Sequence, residues 1–260
     1  MQISLAGRRA LITGGSEGLG RAMARAFSQA GADVAILARR PDVLEQTRQT
    51  LQDGCTSRIV AVACDVSDGP AIQAAFASVV DQLGGVDILV NNAGGAKAVP
   101  IETLSDDDWE GDYNLKMMAA VRLCRLALPG MKAQRWGRII NVLNHFAKAP
   151  PANTSPTSVT RAAGMAFTKV LANEAAPHNV LVNSLLTGLI ATEQLMNAHQ
   201  KRRPDLTQDE FFNQLAARVP MGRVGRPEEF AAVACFLASD AASYLTGLAI
   251  NVDGGLSPVP

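Results

Sequence analysis

Short apolar runs alternate along the chain with longer segments whose apolar residues recur every three or four positions. The runs are RALIT (9–13), DVAILA (33–38), RIVAVAC (58–64), VDILVNN (86–92), GRIINVL (137–143), VLVNSLL (180–186) and LAINV (248–252). They are rich in Val, Ile and Leu and nearly uninterrupted, which suits strands buried on both faces of a parallel sheet. Positions 20–30, 71–83, 109–134, 158–175 and 228–238 carry the helical period. The alternation predicts a doubly wound α/β sheet of seven mainly parallel strands, with right-handed crossovers and helices on both faces. No repeat, low-complexity tract or linker interrupts it, so positions 1–260 are expected to form a single domain. Positions 190–219 break the rhythm: the stretch is helical in composition, and Pro204 should interrupt any helix within it. An excursion at that place, after the sixth strand, is expected to be a substrate lid.

Composition narrows the classes of partner. The 260 residues are 48% hydrophobic and 18% charged with formal net charge 0, which gives no electrostatic case for nucleic acid or an anionic membrane. No apolar run reaches the roughly 18 residues of a spanning helix, and the first residues lack a signal-peptide pattern. Cys55, Cys64, Cys124 and Cys235 form no metal-like spacing and read as reduced, mostly packed thiols of a cytoplasmic protein. His145, His178 and His199 are too scattered for a metal site, so none is expected.

The first run leads into TGGSEGLG (13–20). Glycines between a strand and a helix let the backbone approach a pyrophosphate, with the helix N-terminus aimed at its charge. Gly14, Ser16, Gly18, Leu19 and Gly20 are therefore candidate cofactor contacts. The second run ends LARR: Ala38 stands where a carboxylate would hold two ribose hydroxyls, and Arg39 and Arg40 suit a 2′-phosphate. This favours NADP, with NAD the alternative, because Glu17 would repel the same phosphate.

Further motifs follow in order: CDVSD (64–68), NNAG (91–94), WEGDYNLK (109–116), APHNVLVNSLLTGLIAT (176–192) and GRVGRPEEFAAVACFLASDAASYLTGLAINVDGG (222–255). With the glycine-rich turn, they make the chain resemble the short-chain dehydrogenase/reductases over nearly its whole length. The resemblance implies a Rossmann-type sheet and an oxidoreductase that interconverts a carbonyl and an alcohol on a small molecule. It implies cofactor contacts from Asp65 and Val66, from Asn92, Ala93 and Gly94, and from Gly188 and Thr192. It also implies a homotetramer built on the segments 109–134, 158–175 and 228–255.

The same resemblance implies a serine, a tyrosine and, four residues on, a lysine as the catalytic set. In this chain those places hold Asn144, Thr157 and Arg161, and Asn114 matches the family's active-site asparagine. Asn144 can still donate to a carbonyl. Arg161 can still bind ribose hydroxyls, although it stays protonated. Thr157 is the serious change, because an aliphatic alcohol cannot be tuned to transfer a proton near neutral pH. His145, Lys116 and Lys148 are candidate substitutes, as is a water chain from Asn114. Neighbouring strand residues point to opposite faces, so His145 reads first as a structural or surface residue, and Lys116 should lie on a different helix face from Asn114. Lys201, Arg202 and Arg203 could grip an anionic substrate or simply face solvent. Three functions stay open: an oxidoreductase with a non-standard proton path, a silent cofactor-binding subunit of a hetero-oligomer with an active homologue, and a non-redox lyase or isomerase.

Overall fold

The computed structural model describes residues 3–260, with Arg202 described by its backbone alone. The chain runs through β1 (Arg9–Thr13), α1 (Gly18–Gln29), β2 (Asp33–Ala38), α2 (Pro41–Gln52), β3 (Ile59–Ala63), α3 (Gly69–Leu83) and β4 (Ile88–Asn91). It continues through β5 (Ala98–Val99), α4 (Asp106–Tyr113), α5 (Ala119–Ala133), β6 (Gly137–Asn144), β7 (Ser155–Pro156), α6 (Thr157–Ala175) and β8 (Val180–Thr187). It closes with α7 (Glu193–Arg202), α8 (Gln208–Ala216), α9 (Pro227–Ala238) and β9 (Ala249–Val252).

Seven strands form one sheet in the order β3-β2-β1-β4-β6-β8-β9, and every pairing in it is parallel. The seven apolar runs of the sequence are these seven strands, within two residues at each end. The alternation of side chains along each strand divides two apolar layers. Ala10, Ile12, Ile36 and Ile140 pack on one face with Met23 and Phe27 of α1 and Phe230 of α9. Leu11, Leu37, Leu89 and Ile139 pack on the other with Val79 of α3, Leu123 of α5 and Leu171 of α6.

Strand order reverses between β1 and β4: β2 and β3 lie to one side, and β6, β8 and β9 to the other. The loops leaving β1 and β4 therefore diverge and open a crevice at the C-terminal edge of the sheet, the usual place for a ligand in open α/β folds.

Two features modify the sequence reading. The periodic segment 109–134 is not one α-helix, because five residues, Asn114–Met118, form a π-turn between α4 and α5 in which the Ala119 amide donates to the Asn114 carbonyl. Ser155–Pro156 also pairs with Ala98–Val99 in a two-stranded antiparallel ribbon, which brings the loop after β4 against the start of α6. Within 190–219 the helices α7 and α8 flank Pro204, so the proline marks the break that its missing amide predicts.

Candidate active site

The turn after β1 is built for close backbone approach. Gly14 has a φ of 63°, and a methyl group on Gly20 would sit 2.0 Å from the Gly14 carbonyl oxygen. Only glycine fits that contact, and it draws the N-terminus of α1 down onto the end of β1. Thr13 fastens the neighbouring loop: its hydroxyl accepts from the amides of Asn92 and Ala93, each at 2.9 Å. The Asn92 side-chain amide donates to the carbonyls of Thr13 (2.9 Å) and Gly14 (3.2 Å). Ser16 is buried, and its carbonyl accepts from Thr47 at 2.8 Å. Leu19 turns into the apolar layer of α1. Thr13 is a site residue that the motif reading passed over, although its place at the last position of a strand before the glycines is a usable signal.

The cradle already holds an anion from the chain itself. The Gly18 amide donates to the carboxylate of Glu193 at 2.8 Å, and Arg21 pairs with the same carboxylate. That carboxylate stands where a phosphate oxygen of a dinucleotide would accept the same bond. Thr192, at the N-cap of α7, lies beside Gly18. Gly188 follows β8, and its amide donates to the Val252 carbonyl at 3.2 Å.

At the end of β2, Arg39 and Arg40 are exposed, and Arg40 pairs with Glu17 at 2.5 Å. Glu17 is thus a counter-ion of the arginine that a 2′-phosphate would also engage. Asp65 accepts from the Ser67 hydroxyl (2.7 Å) and amide (2.9 Å), and these bonds, with Arg39 nearby, hold its carboxyl below the usual carboxylate range. Val66 is buried in the layer of α3 and α5. The Gly18 amide, the half-buried Asn92 and Ala93 with the exposed Gly94, and two exposed arginines form a set that fits a phosphorylated dinucleotide.

The other end of the crevice is lined by Thr13, Ala93, Lys116, Asn141, Val142, Arg161 and their neighbours. Arg161 projects from α6 toward β6, donates to the Val142 carbonyl and lies against Gly94. Burial pushes its guanidinium down to about 10. Beneath it a polar chain crosses the sheet, from Asn91 to Asn141 (2.8 Å) and from Asn141 to Thr168 (2.9 Å).

Thr157 opens α6 and is fully engaged. Its hydroxyl donates to the Lys97 carbonyl (2.8 Å) and accepts from the Lys97 amide (3.0 Å) and the Lys116 ammonium (2.9 Å). It therefore ties the loop after β4 to α6. The Lys116 side chain is 3% exposed, and it pairs with Asp112 one helical turn earlier, itself 7% exposed. Burial first, and then the charge of Arg161, push the Lys116 ammonium down to about 8, against the pull of Asp112.

The remaining candidates are separated by their contacts. Asn144 ends β6 with its Oδ1 buried and unpartnered. His145 bonds through Nδ1 to the Thr187 carbonyl at 3.1 Å. A carbonyl only accepts, so Nδ1 carries the hydrogen, and burial lowers the imidazole pKa. Asn114 is half-buried in the π-turn. Lys148 donates to the carbonyls of Ala249 and Pro260, each at 2.7 Å, away from the crevice. Arg203 is spent on Asp205 at 2.8 Å, Lys201 is exposed, and the Arg202 side chain lies outside the described residues. Among the described residues no helix is long and apolar enough to cross a membrane, and no cluster of His, Cys, Asp or Glu suits a metal ion.

Comparison with known proteins gives consistent matches. A family model described as enoyl-(acyl carrier protein) reductase matches residues 14–257. The chain is 33% identical over 256 residues to the 3-oxoacyl-[acyl-carrier-protein] reductase FabG of Aquifex aeolicus, covering 98% of this chain and 100% of that one. It is 32% identical over 251 residues to the NADPH-dependent reductase BacG of Bacillus subtilis, covering 95% and 97%. Among solved structures, L-sorbose reductase from Gluconobacter frateurii, complexed with NADPH and L-sorbose, superposes with a TM-score of 0.95 at 35% identity over 100% of both chains. With the parallel sheet, its reversal between β1 and β4 and the glycine cradle at that point, these matches establish that the chain belongs to the short-chain dehydrogenase/reductase family.

Proposed function

We propose that the protein is an NADPH-dependent oxidoreductase that interconverts a carbonyl and an alcohol on a small molecule, by a proton path that bypasses residue 157. The observation that carries the reading is the crevice at the strand reversal. Its Gly18 amide is already engaged by a carboxylate, and Arg39 and Arg40 stand at the end of β2 with no acidic residue between Ala38 and the helix that follows. The donor set suits a pyrophosphate and a 2′-phosphate better than two ribose hydroxyls alone. Similar proteins bear names or titles that specify NADPH.

When bound, the cofactor supplies or accepts the hydride. The chain's own residues then have three tasks. The Gly18 amide and Arg21 exchange Glu193 for the pyrophosphate. Arg161, behind Gly94, would hold the nicotinamide ribose and supply positive charge there. Asn144, whose side-chain amide can donate, orients the substrate oxygen. Thr157 cannot supply the proton, since its only hydrogen is given to the Lys97 carbonyl. The segment 190–219 acts as the lid over this crevice, and closure onto cofactor moves Glu193 off the Gly18 amide. Val159 and Val170, 54% and 56% exposed on α6, fit a face buried in a homotetramer.

The test has two stages. Titration of the protein with NADPH and NADH by nicotinamide fluorescence should show tighter binding of NADPH. A panel of ketones and ketoacyl thioesters should then reveal turnover at the nicotinamide absorbance band. Cofactor binding without turnover on any carbonyl would favour the second reading, a cofactor-binding subunit of a hetero-oligomer, which the fully engaged Thr157 hydroxyl also supports.

A further inference from the structure

We infer that Lys116 is the proton donor and acceptor for the substrate oxygen, with Asp112 and Thr157 as its positioning residues. This rests on the carbonyl–alcohol reading above.

The geometry of hydrogens supports it. An ammonium has three N–H bonds. Among the described residues, one goes to the Asp112 carboxylate and one to the Thr157 hydroxyl at 2.9 Å. The third has no protein partner, and the side chain lines the cavity shared with Ala93, Asn141 and Arg161. Thr157, in contrast, has no hydrogen to spare. The surroundings also hold unpartnered buried polar atoms that protein contacts leave open: Asp112 Oδ2 and Arg161 Nε.

Helix geometry brings the lysine to this place. Asp112 and Lys116 are four apart, with the acid N-terminal, an arrangement that favours their pairing. The π-turn at Asn114–Met118 packs on α6, so the lysine reaches the residue that opens α6. π-turns occur often at functional sites. The charged groups facing Lys116 are Asp112 from α4 and Arg161 from α6, and their opposed effects leave burial to set the balance, with the ammonium pushed down to about 8. An acid with that value is mostly protonated at neutral pH and still gives up its proton readily.

In the reductive direction the substrate carbon accepts the hydride. One Nζ–H bond breaks, and an O–H bond forms on the substrate oxygen. Lys116 is left as a neutral amine beside Asp112 and regains a proton from solvent. In the oxidative direction the neutral amine takes the alcohol proton.

The test combines a titration of the apoprotein with variants. In protein labelled with [13C]lysine, the Cε resonance that disappears in K116R should titrate near 8. A Lys116 resonance that does not titrate below about pH 10, the ordinary lysine range, overturns the assignment whatever the turnover. With a substrate in hand, K116M should lower turnover by about 10²–10⁴-fold, the usual weight of a general acid, while NADPH affinity holds. The wild-type reduction rate should fall as pH rises through about 8, because the ammonium is the active form. That break should be absent in K116R. Its persistence there, or full turnover by K116M, overturns the proposal. K116M strands the Asp112 carboxylate in a buried place, so the neutral pair D112N/K116M provides a folded control that should be equally slow. Wild-type inactivity on every carbonyl counts against the oxidoreductase reading, and the lysine titration still decides the state of Lys116.

Discussion

The two ends of the crevice are built on opposite logics. At the nucleotide end the chain offers its backbone: amides at Gly18, glycines that let α1 approach β1, and a hydroxyl at Thr13 that clips the neighbouring loop. Side-chain identity matters there mainly where it is absent. At the Lys116 end the backbone only positions side chains. A lysine, an aspartate, an arginine and a threonine from α4, the π-turn and α6 meet in a buried space. The nucleotide end holds the glycine-rich turn, while the other end carries Asn144, Thr157 and Arg161.

Substitutions can sharpen this contrast. Apart from the loss of turnover expected of K116M, the largest effect should come from Gly20→Val. Its side chain would collide with the Gly14 carbonyl, where even a methyl carbon would sit at 2.0 Å. NADPH affinity, read by fluorescence, should fall by about 100-fold, or about 2.7 kcal/mol. Retention of wild-type affinity would show that the turn is not the cradle. At the other end, Thr157→Val removes a hydroxyl with three partners and should cost about 1–3 kcal/mol of stability in urea unfolding. A neutral result would mean that the loop at Lys97 is not held from α6.

A smaller effect separates the two nucleotides. Replacing Arg39 and Arg40 together by Ala should lower the preference for NADPH over NADH by about tenfold, consistent with loss of a charge-assisted bond of about 1.5 kcal/mol. An unchanged ratio would place the 2′-phosphate elsewhere. The smallest effect belongs to Glu193→Gln. The carboxylate competes with phosphate for the Gly18 amide and Arg21, but both it and the arginine are partly exposed. Its neutralisation should tighten NADPH binding by only about two- to fivefold, the scale of a surface ion pair. Weaker binding would mean that Glu193 helps to hold the cofactor.

The pattern of apolar runs located the seven strands because strands buried on both faces need continuous apolar stretches, and few other elements produce them at this length. The same holds for the glycine turn, whose spacing follows from the steric limits of β1 and α1. The division of 109–134 was less legible, since a π-turn leaves no interruption in an apolar periodic segment. The spacing alone puts Lys116 on a different helix face from Asn114, and only the packing of the π-turn shows that its ammonium reaches Thr157 at the start of α6. The Asp112–Lys116 spacing was visible in the sequence, yet such pairs are commonly solvated, and nothing local distinguishes a buried one.

His145 illustrates the same limit from the other side. Next to Asn144 at the mouth of a strand, an imidazole reads by sequence mainly as a structural or surface residue, with a substitute acid as the alternative. Its bond to the Thr187 carbonyl, on the neighbouring strand β8, turns Nδ1 to a backbone partner. Only strand pairing decides that.

The sequence by itself therefore determined the order of elements along the chain and the backbone cradle, because each depends on local periodicity or on residues adjacent in the chain. The tertiary structure alone decided which charged side chains share the buried pocket. Asp112, Lys116, Thr157 and Arg161 come from three elements, and their hydrogen bonds, with the lowered pKa of Lys116 and Arg161, arise from burial and proximity between those elements.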